Sequence, residues 1–586
     1  MGQSAPAVDV GVGYFLVMSQ PGGVVIKTGI ASLQRGIEWV GGRLTLTSES
    51  LFFKPHLLNI EREPGLIPLS AVDYVSLDWP KFRNQPPLRW NELAVYTFDD
   101  EEYRFMVYRR KVWKTAIDQT VTASRSLQGP SPVGPTGVNL TQRLAEAVGP
   151  AYVTDDPDVL AARSVDYTGR YRGQASALVR PGSPEEVAAV LRLCRDAGTH
   201  VTVQGGRTSL VAGTVPENDD VLLSTERLNA VGEVDVVERR VTVGAGATLA
   251  TVQRAATDAG LIFGVDLTAR DTATVGGMAS TNAGGLHTVH YGNMGEQVLG
   301  LQVALPDGTC LHRHSAVRSD NTGYDLPALF VGAEGTLGVI TGLDLRLHPR
   351  PAHRVTAVCG FAHLADLVDA ARICRDLDGI AALELIDARV AALTGERLGI
   401  PSPVRGDWLL LVELTGDTDQ TDRLADLLPR VRSCDAPAVG VDLAAQQRLW
   451  RLREAIADVL GVFGPPLKFD VSLPLAGIAG FAATASAVTQ QHAPEAIPVL
   501  FGHIGDGNLH LNVLRCSTAA EPGLYAAMMK LIADCGGNVS SEHGVGSRKR
   551  AYLAMSRGPD DIAAMRTIKT AFDPTGYLNA AVLFDD

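Results

Sequence analysis

Two histidines seven positions apart, His503 and His510, bracket the run Gly505-Asp506-Gly507-Asn508, and a Glu542-His543 pair follows inside Ser541-Glu542-His543-Gly544-Val545-Gly546. Gly-Asp-Gly-Asn between apolar runs is turn chemistry, so residues 502–512 read as a β-hairpin. Pairing Ile504 with Leu509 would set His503 against His510, with Cβ atoms about 4.5–5.5 Å apart on one face. Asn512, two positions on, shares that face. Two imidazoles and the carboxylate of Glu542 make a three-ligand set of the kind that holds a catalytic zinc with one position open. A divalent metal, zinc by ligand type, is therefore expected on His503, His510 and Glu542, and manganese or another first-row ion also suits these donors. His543, beside the carboxylate ligand, is the expected catalytic base, since imidazoles titrate near neutral pH. The plainer reading is a hairpin with two surface histidines and a chance Glu-His pair.

Such a site needs a scaffold, and the chain is long enough to build several domains at 586 residues. A stretch rich in Pro, Gly and Ser, residues 126–140, reads as a linker. Before it, residues 1–125 are β-rich: Arg43-Leu44-Thr45-Leu46-Thr47 and Ser50-Leu51-Phe52-Phe53 flank a short turn, further strands are expected over 66–77, 92–98 and 103–107, and a closing helix over 110–123. After the linker, Ala177-Leu178-Val179-Arg180 reads as a strand. Ser183, Pro184 and Glu186 then supply an N-cap, an N1 proline and an N3 acid for a helix that stops at Gly198. A second strand, 200–203, runs into Gly205-Gly206. Strand, helix and strand ending in glycines suit a nucleotide-binding half-domain. From Pro351 the pattern changes to longer helices and alternating strands, with a strand at 408–414 and a helix at 446–460.

Composition narrows the class. The chain is 46% hydrophobic and 20% charged with a net charge of −13, which fits a globular protein and argues against general nucleic-acid affinity. No apolar run reaches the length of a membrane span. Residues 1–9 lack the basic and apolar pattern of a signal peptide. Seven scattered cysteines without a CxxC pair suit a reducing, cytoplasmic setting and exclude a four-cysteine iron–sulfur motif.

These segments resemble the flavin-dependent D-2-hydroxyacid dehydrogenases, the family of D-lactate, D-2-hydroxyglutarate and glycolate dehydrogenases within the vanillyl-alcohol oxidase type of FAD fold. The resemblance runs from about Thr141 to the C-terminus. It implies an α+β chain: a small barrel-like N-terminal domain, a bipartite FAD-binding domain over 141–350, a cap or substrate domain over 351–535, and a C-terminal segment, 536–586, returning to the flavin and the metal. The N-terminal pattern Gly-Arg-Leu-Thr-Leu-Thr, then Leu-Phe-Phe-Lys-Pro, then Ile67-Pro68-Leu69 resembles a GRAM or pleckstrin-homology-like domain. A generic small barrel that serves solubility or dimerisation is the alternative there.

Residues Gln204, Gly205, Gly206, Arg207, Thr208, Ser209, Leu210 and Gly213 look like the family's pyrophosphate loop, where glycines let backbone N–H groups approach phosphate and hydroxyls donate. Residues 264–285 are similar to its long second signature. The resemblance assigns FAD contacts there to Asp266, Thr268, Asp271, Thr274, Gly276, Gly277, Ser280, Asn282, Gly284 and Gly285. Tyr291 and Gly292, then Glu334, Gly335, Gly338, Val339 and Ile340, and finally Asn579 complete the set. Two departures stand out: Arg207 replaces the family's usual Gly or Asn, and Asn579-Ala580-Ala581 stands where the family reads Asn-Pro-Gly-Lys. No histidine occupies the place of a covalent flavin link, so non-covalent FAD is expected. Gly244-Ala245-Gly246 mimics a dinucleotide fingerprint, but Leu249 sits at the third glycine's place, which discounts NAD.

The resemblance also assigns Arg453 and Lys468, with Asn512, to the substrate; an arginine fork suits a carboxylate. One turn after Arg453, some relatives place a hydroxyl residue and this chain has Ala457. The implied reaction is oxidation of a D-2-hydroxyacid to a 2-oxoacid, with electrons leaving to a quinone, a cytochrome or an electron-transfer flavoprotein. An alkylglycerone-phosphate synthase-like flavoenzyme is the same-fold alternative, and a flavin-bearing protein that docks to a membrane or partner is the alternative from another class. Peripheral membrane contact through residues 1–125 and the oligomeric state, a homodimer included, stay open.

Overall fold

The computed structural model describes residues 139–585 except 218 and 315–319, together with seven strands and two short helical stretches, 113–114 and 116–117, of the N-terminal region. The chain divides into two compact units, Met1–Val133 and Gly134–Asp586.

In the first unit the strands are β1 (Val25–Arg35), β2 (Glu38–Thr47), β3 (Ser50–Pro55), β4 (Gly65–Pro68), β5 (Val72–Ser76), β6 (Glu92–Thr97) and β7 (Glu102–Val107). They form one sheet in the order β4-β3-β2-β1-β7-β6-β5. Leu44 and Leu46 alternate inward on β2 and Leu51 and Phe53 on β3, all buried, as the period of two requires. The region expected as one strand over 66–77 is two, β4 and β5. Most of the helix expected over 110–123 and most of the linker lie outside the described residues.

The second unit begins with a four-stranded sheet of β8 (Val153–Thr154), β9 (Ala175–Val179), β10 (Val201–Gln204) and β11 (Asp220–Ser224), ordered β10-β11-β9-β8. The pairs of β11 with β9 and β10 are parallel. The helix Pro184–Asp196 is the crossover that carries the chain from β9 to β10, the two strands flanking β11. Ser183 caps that helix through Glu186 N at 3.2 Å, while the Glu186 carboxylate reaches Gly182 N at 2.7 Å, one residue earlier than a capping box requires. Gly198, at φ +64°, turns the chain out of it. The C-terminal tail returns to the free side of β10: Val201 N donates to Tyr577 O and Asn579 N to Val201 O, at 2.9 and 2.8 Å.

A second sheet, β12 (Arg240–Gly244), β14 (Val298–Ala304), β15 (Cys310–Arg313) and β16 (Val339–Arg346), is antiparallel in the order β12-β16-β14-β15, and β13 (Leu261–Ile262) pairs with β17 (His348–Pro349) beside it.

The last sheet carries most of the chemistry. Its strands are β18 (His353–Phe361), β19 (Ile380–Asp387), β20 (Trp408–Gly416), β21 (Ala438–Gly440), β22 (Leu467–Ser472), β23 (Ile497–His503) and β24 (Asn508–Leu514), ordered β21-β18-β20-β19-β23-β24-β22. One face, with Leu383, Leu385, Leu410, Val412, Phe469, Leu509 and Leu511, packs under the helices Leu364–Arg375, Ile478–His492 and Glu521–Asp534. The helix expected over 446–460 is Leu443–Glu454 and then Ile456–Val459, broken at Ala455. Among the described residues no helix is long and apolar enough to cross a membrane.

His348 illustrates how this packing couples to pH. Its Nε2 lies 2.7 Å from Gln297 Oε1, and its ring tilts against Tyr291 at 4.6 Å. Burial, with Arg346, His290 and Arg239 nearby, pushes its pKa down to about 4. The unfolded chain, near about 6.5, takes up that proton first as pH falls. The contribution to stability is therefore complete above about 6.5 and lost as pH drops toward 4. His348→Gln is expected to shrink the difference in urea midpoint between about pH 7 and pH 5; an unchanged difference would show that the histidine titrates alike in both states.

Candidate active site

A cleft of about 430 Å³ runs from the glycine-rich loops to the polar face of the last sheet. At one end, Gly205-Gly206 leaves β10 directly beneath residues 272–277. A Cβ on Gly206 would lie 2.0 Å from Thr272 O, so a side chain there would force the two loops apart. Thr274 caps the helix Val275–Thr281, accepting from Gly277 N. Arg207 holds φ +55°, unusual for a residue with a Cβ, and donates to Ala162 O at 3.1 Å.

At the other end the register of four strands sets out the polar groups. Glu384 pairs with His503 between β19 and β23, His503 with Asn508 and Phe501 with His510 between β23 and β24, and Asp470 with His510 and Lys468 with Asn512 between β24 and β22. The expected pairing of His503 with His510 is corrected by two residues. The turn is Ile504–Gly507, held by Gly507 N to Ile504 O and by Asp506 Oδ1 accepting from Asn508 N. A shift of two preserves the face, so the imidazoles meet diagonally, ring centroids 5.3 Å apart.

Glu542 and His543 arrive on a loop from the C-terminal segment. Asp470 Oδ2 accepts from the backbone N–H groups of Ser541, Glu542 and His543 at 2.9, 3.0 and 2.9 Å. Three imidazole Nε2 atoms converge on Glu542 Oε1: His510 and His543 at 3.5 Å each and His503 at 3.9 Å. The rings of His510 and His543 are parallel, 5.5 Å apart.

Burial and charge tune these groups. Burial pushes the His510 pKa down to about 3, which leaves the ring neutral with a lone pair to give. Burial opposes the charged form of His503 too, but the Glu384 carboxylate wins and raises its pKa to about 9. Burial would raise Asp470, yet His543, Lys549 and His510 together with its backbone donors hold it well below the usual carboxylate range. Burial lowers Lys468. Asn512 Oδ1 and His510 Nδ1 are buried without a hydrogen-bond partner.

Arg453, Lys468, Asn512, His503, His510, Glu542 and His543 all line the cleft, as do most residues expected to touch the flavin. Five do not. Gln204 is buried behind the loop, donating to Arg163 O and Thr214 O. Asp271 faces outward. Asn282 ends the helix Val275–Thr281 in a left-handed turn and accepts from Gly295 N. Tyr291 packs against His290 and His348, and Gly292 forms the turn behind it at φ +77°. These support the loops instead of lining the cleft. Glu384, Asp470, Lys549 and Phe501 escaped the sequence reading, although each acid interrupts an apolar strand, in Ala-Leu-Glu-Leu-Ile and Leu-Lys-Phe-Asp-Val.

Residues 175–313 match the family described as FAD binding domain, and residues 350–583 that described as FAD linked oxidases, C-terminal domain. The chain is 36% identical over 444 residues to "D-2-hydroxyglutarate dehydrogenase, mitochondrial" of Bos taurus, covering 74% of this chain and 81% of that protein. The chain belongs to the FAD-linked oxidases. It is an FAD-linked oxidoreductase. Among solved structures of this fold, 4-ethylphenol oxidase from Gulosibacter chungangensis superposes with a TM-score of 0.64 at 18% identity, over 78% of this chain and 99% of that one. An alkyldihydroxyacetonephosphate synthase gives 0.60 at 17%, over 76% and 86%.

As an FAD-linked oxidase it depends on the close approach of its two glycine-rich loops. Gly206→Ala is expected to lower bound flavin per chain sharply, read as the ratio of absorbance near about 450 nm to that of the protein, because its Cβ meets Thr272 backbone. Full flavin occupancy would mean that the loops part without cost.

Proposed function

We propose that this chain oxidises a D-2-hydroxyacid to the 2-oxoacid with non-covalent FAD and a divalent metal, zinc by ligand chemistry, on His503, His510 and Glu542. The observation that carries the metal is the convergence on Glu542 Oε1. Two donors about 2.1 Å from one tetrahedral ion lie about 3.4 Å apart, and His510 and His543 stand at 3.5 Å with His503 at 3.9 Å. Asp470 also clusters with His510, Glu542 and His543, their donor atoms all within 4.8 Å. It faces the opposite edge of the rings, however, 4.0 Å from His510 Nδ1 and 3.7 Å from His543 Nδ1, with one oxygen committed to three N–H groups. The Nε2 side is therefore the better pocket for an ion.

A bound ion supplies Lewis-acid polarisation of the hydroxyl and carboxylate oxygens, and a bound flavin supplies the hydride acceptor. The remaining work falls to this chain's side chains. Arg453 and Lys468 hold the substrate carboxylate. The unpaired Asn512 Oδ1 is an acceptor for a substrate donor. His543 Nε2 takes the hydroxyl proton. Phe501, against which Arg453 lies at 5.0 Å, excludes water from that end. Electrons then leave to an acceptor of the quinone, cytochrome or flavoprotein type. D-2-Hydroxyglutarate is the first substrate to try, because the relative above carries that name. The shared fold alone would equally fit the synthase.

Anaerobic flavin bleaching with D-2-hydroxyglutarate, D-lactate and glycolate tests the reaction, and a flavin that stays oxidised with all three sinks it. Chelation is expected to abolish bleaching and zinc or manganese to restore it; an unchanged rate in metal-free protein would refute the metal's role. His543→Ala is expected to slow flavin reduction about 10²–10⁴-fold with metal retained. Should that variant lose metal and reduce flavin normally once zinc is restored, His543 is a fourth ligand and the proton leaves elsewhere.

A further inference from the structure

Glu384 sits on β19 with its side chain fully buried, and both of its oxygens are in use. Oε1 lies 2.5 Å from His503 Nδ1, and Oε2 accepts from Arg453 Nε at 2.6 Å. Each partner is itself enclosed, His503 at 7% and Arg453 at 6% exposure. We propose that Glu384 is the positioning residue that couples the metal ligand His503 to the anion-binding Arg453. This rests on the function proposed above and adds to it a group that touches neither metal nor substrate.

The argument starts from cost. A carboxylate in a closed interior is tolerated only when paired and hydrogen-bonded on both oxygens. Strand register delivers one partner, because Glu384 stands directly opposite His503. The helix Leu443–Glu454 delivers the other, with Leu449 and Leu452 packing that helix on the same sheet. Engaging Nδ1 fixes the imidazole so that Nε2 is the nitrogen turned to Glu542, 3.9 Å away. Engaging Nε holds the guanidinium over the Phe501 ring, its carbon 5.0 Å from the ring centre, and leaves its terminal nitrogens for an anion. Among the described residues, Glu384 is the carboxylate that binds both a proposed metal ligand and the proposed anion receptor. Neither can change its hold on the shared carboxylate without the other responding.

Zinc affinity, measured by chelator competition on FAD-loaded protein, tests this in four proteins: wild type, Glu384→Gln, Arg453→Met and the double variant. Flavin content and melting temperature report folding. Glu384→Gln is expected to weaken zinc about 10–100-fold with flavin retained. Arg453→Met is expected to shift zinc affinity by a factor that differs between the Glu384 and the Glu384→Gln backgrounds by more than about threefold, since contacts through one carboxylate are not additive. A purely through-space effect of the arginine would be the same in both. Glu384→Asp, which keeps the charge but draws it back by one methylene, is expected to fall between wild type and Glu384→Gln, and it serves if the glutamine variant does not fold. Wild-type zinc affinity in either Glu384 variant, or a simple product of the two single effects, overturns the coupling while leaving the functional reading intact. A wild-type protein that binds no zinc, in which His510→Ala changes nothing, overturns both.

Discussion

The site depends on one loop being clamped between two carboxylates, the buried Asp470 and the half-buried Glu334. Residues 541–546 carry Glu542 and His543. From β22, Asp470 Oδ2 accepts three consecutive backbone N–H groups of this loop. From the side of the glycine-rich loops, the two oxygens of Glu334 accept from Val545 N and Gly546 N at 2.7 and 2.8 Å. Glu334 is tied in turn to β10 through Asn579, whose Nδ2 donates to Glu334 O at 2.8 Å and whose Oδ1 accepts from Val203 N at 2.8 Å. The path from β10 to β22 is thus a chain of hydrogen bonds through one glycine-rich loop. Lys549, 2% exposed and 3.6 Å from Asp470 Oδ2, supplies countercharge that lets Asp470 stay ionised.

The sheet β18–β24 shows how a strand can serve a core and a site together. Side chains alternate, so each strand gives one face to the apolar core under three helices, while the other face mixes apolar packing against Leu449, Trp450 and Leu452 with polar groups. On the other face Thr356, Glu413, Glu384, His503, His510 and Asp470 follow one another across six strands. Glu413 parallels Glu384: it is fully buried, accepts from Trp450 Nε1 at 2.6 Å and from Thr356 at 3.1 Å, and lies 3.3 Å from His287 on the segment after the second flavin loop. Two adjacent buried acids therefore fix the helix Leu443–Glu454, one through Trp450 and one through Arg453.

What could be read from the sequence was what local chemistry determines. The Gly-Asp-Gly-Asn turn placed a hairpin, and the parity of its strands placed His503, His510 and Asn512 on one face even though the register was two residues off. Register depends on the turn that closes, and Asp506 and Gly507 close it one step earlier than the glycine pattern suggests. The Ser183-Pro184 start and Gly198 stop framed a helix correctly because caps are local. Gln204, Asp271, Asn282, Tyr291 and Gly292 do not line the cleft, because a motif marks a segment, whereas facing the cleft depends on the turn each residue occupies. Glu384 and Asp470 were missed because their partners lie 119 and 71 to 73 positions away, a distance no pattern spans.

On the reading proposed above, charge explains why a metal and an anion receptor would share one cleft. Arg453 is already matched by Glu384, and Lys549 by Asp470. Lys468 has no carboxylate within ion-pair distance among the described residues, and burial works against its charge. Glu542, facing the same space, meets histidines instead of a permanent cation. An incoming hydroxyacid would bring a second negative charge toward Glu542 in a closed, weakly screening interior, where like charges repel strongly. On the proposed reading, a divalent ion held by His503, His510 and Glu542 would reverse that balance, offsetting the charge of Glu542 and leaving positive charge for the carboxylate. The acids that look hostile to an anionic substrate are then what holds its counter-ion in place.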